Sequence, residues 1–112
     1  MKNKIDIQIY ETAGGKRPYY KWESKLSRRA RAIISARLAR IRIGIFGDCK
    51  SIKGVKGIYE IRIHLEAGYR IYFGKYKEKI VLLLCGGDKG TQKRDIQKSY
   101  QYWQDYLEAQ KR

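Results

Sequence analysis

Hydrophobic and polar side chains alternate one for one along Gly57-Ile-Tyr-Glu-Ile-Arg-Ile-His64 and again along Gly68-Tyr-Arg-Ile-Tyr-Phe73. Successive side chains of an extended chain point to opposite faces. Tyr59, Ile61, Ile63 and Leu65 therefore share one face of the first segment, and Glu60, Arg62 and His64 the other. In the second segment Tyr69, Ile71 and Phe73 take the apolar side and Arg70 and Tyr72 the opposite one. Both read as strands with one face in a core and one face open. The short connection Glu66-Ala-Gly68 predicts that they pair as a hairpin. The open face then gathers Glu60, Arg62, His64, Arg70 and Tyr72, a set suited to gripping a phosphate ester.

Ile5, Ile7 and Ile9 alternate with polar neighbours and predict a first strand, followed by a loop through Gly14-Gly15. Pro18 suits the first turn of a short helix running to about Lys25. Ser27 is a natural N-cap for a second helix, in which Leu26, Ala30, Ile33, Ile34, Leu38, Ile41 and Ile45 recur at three- and four-residue intervals. Gly44 and Gly47 end it. Asp48 to Lys53 reads as a short edge strand. Ile80-Val-Leu-Leu-Leu-Cys85 is continuously apolar, as a strand covered on both faces is, and Gly86-Gly-Asp-Lys-Gly90 reads as a loop at its end. A final helix places Ile96, Tyr100, Trp103 and Leu107 on one stripe, and Tyr59 and Tyr69 join Tyr100 and Trp103 as core candidates. The order predicts a single α+β domain over residues 1–112, with a mostly antiparallel sheet of four to five strands, two N-terminal helices and a C-terminal helix packed on it.

Composition changes this picture in one respect. The 112 residues hold 26 Lys plus Arg against 11 Asp plus Glu, a formal net charge of +15, in a chain that is 43% hydrophobic. The hydrophobic share excludes a disordered basic tail. The excess charge points to a polyanionic partner: nucleic acid, an acidic protein or a membrane surface. No stretch is apolar for long enough to span a membrane, and the opening Met-Lys-Asn-Lys-Ile-Asp lacks the apolar segment of a signal peptide. Cys49 and Cys85 have neither metal-ligand spacing nor a disulfide framework, so two reduced, buried thiols in a cytoplasmic protein are the expectation.

Lys50-Ser-Ile-Lys53, Gly57-Ile-Tyr-Glu-Ile-Arg62, Gly68-Tyr-Arg-Ile-Tyr72, Leu83-Leu-Cys-Gly-Gly-Asp-Lys89, Gln92 and Asp95-Ile96 together resemble toxins of the RelE/ParE superfamily of bacterial toxin–antitoxin modules, in the addiction-module killer protein branch near the HigB-like toxins. The resemblance runs from the Trp22 region through the final helix. It implies a RelE-like fold and a ribosome-dependent endoribonuclease that cuts mRNA without a metal or other cofactor. It also implies a cognate antitoxin, usually a helix-turn-helix protein, through which the complex reaches operator DNA. ParE-like members share the fold and poison DNA gyrase instead.

Metal-free RNA cleavage uses the substrate's own 2′-OH as nucleophile. It needs a base for that proton, cations for the pentacovalent phosphorane and an acid for the 5′-oxygen. Arg62 and Arg70, on paired strands, are the candidates for holding the scissile phosphate. Glu60 and His64 are alternatives for the base, and His64 also for the acid; Glu60 can equally form a cross-strand ion pair with an arginine. The best-known RelE pattern has lysines near the positions of Glu60 and Arg62, so the base is left open. Lys89 can reach across the open face to neutralise the phosphate or protonate the leaving group, while Asp88 fixes its loop or caps the final helix. Gln92 can bond a base or sugar, Lys53 and Lys56 the RNA backbone, and Tyr72 can stack on an unpaired base. Each lysine can equally be a solvated cation, and His64 a surface histidine without a role. Arg28, Arg29, Arg31, Arg37, Arg40 and Arg42 of the second helix form a separate basic surface for ribosomal RNA or an acidic antitoxin. Two other functions fit the same sequence: a gyrase-binding toxin that cleaves nothing, and a noncatalytic RNA-binding module.

Overall fold

The computed structural model describes residues 4–112; the opening Met-Lys-Asn, part of the segment read as lacking a leader, lies outside them. Its elements are β1 (Asp6–Ile9), α1 (Pro18–Glu23), α2 (Arg28–Arg42), β2 (Cys49–Ser51), β3 (Ile58–Ile63), β4 (Tyr69–Tyr76), β5 (Ile80–Gly87), a 3-10 turn (Lys89–Thr91) and α3 (Gln92–Gln110). The five strands form one sheet in the order β1-β5-β4-β3-β2, antiparallel except where β1 pairs with β5. The predicted α+β class, sheet and helix complement are what the chain adopts.

The hairpin pairs as its alternation requires. Ile61 lies opposite Ile71 and Tyr59 opposite Phe73 on one face, with Glu60 opposite Tyr72 and Arg62 opposite Arg70 on the other. The apolar face packs on α1 and α2 through Tyr19, Ile34, Leu38, Ile41, Ile61, Ile63, Ile71, Phe73, Val81 and Leu83. Ser27 caps α2 by accepting from the Ala30 N–H at 3.1 Å. The helix ends at Arg42, so Ile45 lies beyond it and is exposed.

The second face is not open. α3 crosses it and builds a second core from Ile58, Tyr72, Leu82, Leu84 and Trp103, with Tyr10 joining from the end of β1. Tyr72 is therefore fully buried, and its expected role as a stacking platform for a base is excluded. α3 is also turned roughly 70° from its apolar stripe, at 100° per residue. It buries Asp95, Ser99 and Trp103 and leaves Tyr100 exposed, so Tyr100 is not core. Tyr59 and Tyr69 are half-buried against the first core.

Gly86 and Gly87 do not form a loop; they close β5. A Cβ on Gly86 would strike the Trp22 ring, and one on Gly87 would strike the Asp95 carboxylate. The two glycines thus let α1 and α3 approach the same strand from opposite faces. Gly86→Ala should cost about 1–3 kcal/mol by overpacking, read as a lower urea midpoint with an unchanged slope; a wild-type midpoint would show that Trp22 yields freely.

Candidate functional site: a buried carboxylate holding two arginines

Glu60 lies on β3 between β2 and β4, on the face that α3 covers, and is 0% exposed. A carboxylate there needs donors to replace lost water. Its Oε1 accepts from Arg62 Nε at 3.1 Å. Its Oε2 accepts from Arg70 Nη1 at 3.1 Å and from Gln92 Nε2 at 2.9 Å. Gln92 opens α3, whose N-terminal N–H groups lend further positive potential near the carboxylate. Of the alternatives for Glu60, the structure realises the ion pair, and with both arginines instead of one. Both of its oxygens accept hydrogen bonds, and the side chain is shut off from solvent.

The way each arginine is held decides what it offers. Arg62 is tethered by Nε, which leaves the two terminal nitrogens of its fork out of that bond, and its side chain is 33% exposed. Arg70 is tethered by Nη1 and is 13% exposed, with its Nε buried and unpaired among the described residues. One carboxylate between two guanidinium groups leaves a net single positive charge, matched to a phosphodiester. Tyr72, beside Glu60, has its phenol pushed up by burial first and then by the Glu60 and Asp95 charges, so it stays protonated.

His64 stands apart from this cluster. It follows the end of β3, its side chain is 74% exposed, and its Nε2 bonds the Asp48 carboxylate. It remains on the Arg62 side, roughly 7 Å along the chain. The Asp48 carboxyl is held below the ordinary carboxylate range, first by the hydrogen bond from His64 and then by the charges of His64, Arg62 and Arg37, with burial opposing. Nothing in the sequence pairs Asp48 with His64; the contact needs β2 laid antiparallel on β3, where the Arg62 N–H donates to the Asp48 carbonyl at 3.0 Å. Arg37 is likewise not a free cation of α2. It donates to the carbonyls of Arg62 at 2.7 Å and of Phe46 and Asp48 at 3.3 Å, tying α2 to the β2–β3 corner. Arg28, Arg29, Arg31, Arg40 and Arg42 stay exposed.

Lys89 sits in the 3-10 turn before Gln92, exposed and without a hydrogen bond or ion pair among the described residues. Asp88 caps that turn as expected, accepting from the N–H groups of Gly90 at 2.8 Å and Thr91 at 3.2 Å. Lys53 and Lys56 are exposed in the turn between β2 and β3. Lys56 borders the groove along Ile96 and Tyr100, a turn or more of α3 away from Gln92. The structure thus joins Glu60, Arg62, Arg70 and Gln92, places His64 and Lys89 at the periphery, and leaves Lys53 and Lys56 outside. Among the described residues no group of three or more His, Cys, Asp or Glu side chains is placed to hold a metal. Cys85 is buried and its thiol is pushed up to about 11, chiefly by burial.

Glu60→Gln should destabilise the fold by about 3 kcal/mol, because two partly buried guanidinium groups lose a fully buried counter-charge; urea unfolding checks it, and a change near zero would mean that Glu60 does not organise them. For Asp48, a lowered folded value means stability present above the unfolded value and lost as pH falls through the folded one. His64→Ala should return the Asp48 carboxyl toward its ordinary value in a carboxyl-carbon NMR titration and shrink that pH-dependent contribution; an unmoved titration would remove the pair.

Residues 21–101 match the family described as "Phage derived protein Gp49-like (DUF891)". An uncharacterized protein of Haemophilus influenzae is 48% identical over 79 residues, which cover 70% of this chain and 78% of that one. A solved structure of a double arginine-to-alanine mutant of the Escherichia coli toxin RelE, in the free state, superposes with a TM-score of 0.58 at 17% identity, over 89% of this chain and 95% of that one. This likeness shows that the two share a fold. The family match takes in the end of α1, all of α2, strands β2 to β5 and every residue of the Glu60 cluster, and the chain belongs to the phage-derived Gp49-like family.

Proposed function

We propose that this chain is the toxin of a type II toxin–antitoxin module and acts in the cytoplasm as a metal-independent, ribosome-dependent mRNA endoribonuclease. In this reading a cognate antitoxin, a helix-turn-helix protein in the HigB-like branch, neutralises it and carries the complex to operator DNA. Family membership and the RelE fold support a toxin. The observation that carries the chemistry is the tethering of Arg62 and Arg70 by a fully buried Glu60, which leaves the Arg62 fork free for two phosphate oxygens.

Cleavage then proceeds by in-line attack. The 2′-oxygen bonds to phosphorus as its proton passes to a base, and the P–O bond to the 5′-oxygen breaks as that oxygen takes a proton from an acid, leaving a 2′,3′-cyclic phosphate. Arg62 and Arg70 stabilise the charge that builds on the equatorial oxygens. His64, bonded to the Asp48 carboxylate, is the imidazole on this surface that serves as base or acid. Lys89, at the rim, offsets phosphate charge or protonates the leaving oxygen, and Gln92, already bonded to Glu60, fixes the carboxylate in place.

Primer extension on mRNA after induction should show new ends at codon-aligned positions. Arg62→Ala and Arg70→Ala should each lower cleavage on the order of a hundredfold, and the double variant should abolish growth inhibition while the protein still accumulates. Intact mRNA with DNA-damage signalling would overturn this reading in favour of a gyrase-directed toxin, and unchanged toxicity of the double variant would remove the arginines from the site.

A further inference from the structure

Gln92, Ile96 and Tyr100 follow one another at four-residue spacing and so lie along one side of α3. Gln92 bonds Glu60 at one end of this row. Tyr100 stands roughly 12 Å further along the helix axis, and 41% of it is exposed. The helix runs back along β3, since a Cβ on Gly57, just before that strand, would strike the Trp103 ring. The row thus leads from the tethered arginines toward the β2–β3 turn.

A groove of about 660 Å³ lies there, between that turn and α3. Val55 and Ile96 give it an apolar lining continuous with the second core. Tyr100 adds an aromatic ring, Gln97 and Gln101 two amides, and Lys56 a cation, all four exposed. No acid is in the lining among the described residues. Between the arginines and the groove, Lys50 on β2 lies opposite Glu60, so it shares that face, and it is exposed. We propose that this groove is a nucleobase subsite, which takes a base of single-stranded RNA flanking the phosphate held by Arg62 and Arg70. The base stacks on Tyr100 against Val55 and Ile96, an amide of Gln97 or Gln101 meets its edge, and Lys50 and Lys56 meet the backbone. A partner helix would need a longer apolar strip than these three side chains offer. An acidic strand would find a single cation in the groove.

The proposal rests on the reading of the two arginines as phosphate holders. The probe is a 2′-O-methyl oligoadenylate of about six nucleotides, which has no free 2′-OH and is not cut, tested on the full chain at low ionic strength. Its control is the same backbone with abasic sugars. The adenylate should bind about tenfold tighter than the abasic strand, the worth of one stacked base, and should move the Val55 and Ile96 methyl resonances. Tyr100→Ala should remove that preference and leave abasic binding and circular dichroism unchanged, whereas Tyr100→Phe should keep it. Arg62→Ala should weaken both strands alike. Failure of the adenylate to bind, equal binding of the two strands, an undiminished preference in Tyr100→Ala, or methyl resonances that stay in place would overturn the proposal. Indifference of both strands to Arg62→Ala would overturn the arginine reading instead, a failure read on the abasic strand and so separate from this one.

Discussion

A carboxylate without access to water, set between two guanidinium groups, fixes the geometry on which the site depends. Glu60 on its own would cost several kcal/mol to bury. Three donors, from β3, β4 and the first residue of α3, offset that cost. Each lies on a different element, so the contact is made only when the hairpin is in register and α3 is docked. The same contact tethers each arginine by one nitrogen, Arg62 by Nε with its side chain one-third exposed and Arg70 by Nη1 with its Nε buried. Fold and site share this one electrostatic junction.

The hairpin was legible because its alternation is strict, and Arg62 opposite Arg70 follows from it directly. The burial of the polar face was not. Glu60, Arg70 and Tyr72 read as solvent-facing because nothing local shows that α3 will lie across them. The stripe of Ile96, Tyr100, Trp103 and Leu107 misplaces the face of α3 because Asp95 and Ser99 are polar yet buried; Gly87 lacks a side chain, and Asp95 fills that space and takes the Thr91 hydroxyl. The glycines themselves suggested a loop, whereas they mark close packing against β5. Asp48 with His64 and Arg37 with the β2–β3 corner are contacts across long sequence separations that carry no periodic signal.

The charge of +15 is also divided in a way that composition conceals. Arg37 is spent on backbone carbonyls, and Arg62 and Arg70 share one carboxylate. Much of the remainder lies on the outer face of α2 and around the α1–α3 cleft. A chain so basic can bind RNA nonspecifically, and charge alone does not locate chemistry. A guanidinium already held in place spends less entropy when it meets a phosphate than a free one does.

The central claim is that Glu60 acts by positioning Arg62 and Arg70 and does not itself accept the substrate proton. The most direct test is the pH profile of RNA cleavage by Glu60→Gln, measured where the variant is folded. Positioning predicts a rate lower on the order of a hundredfold at every pH, with the shape of the profile unchanged. Loss of the acidic limb of the profile, with the plateau otherwise collapsed, would make Glu60 the base and contradict the account.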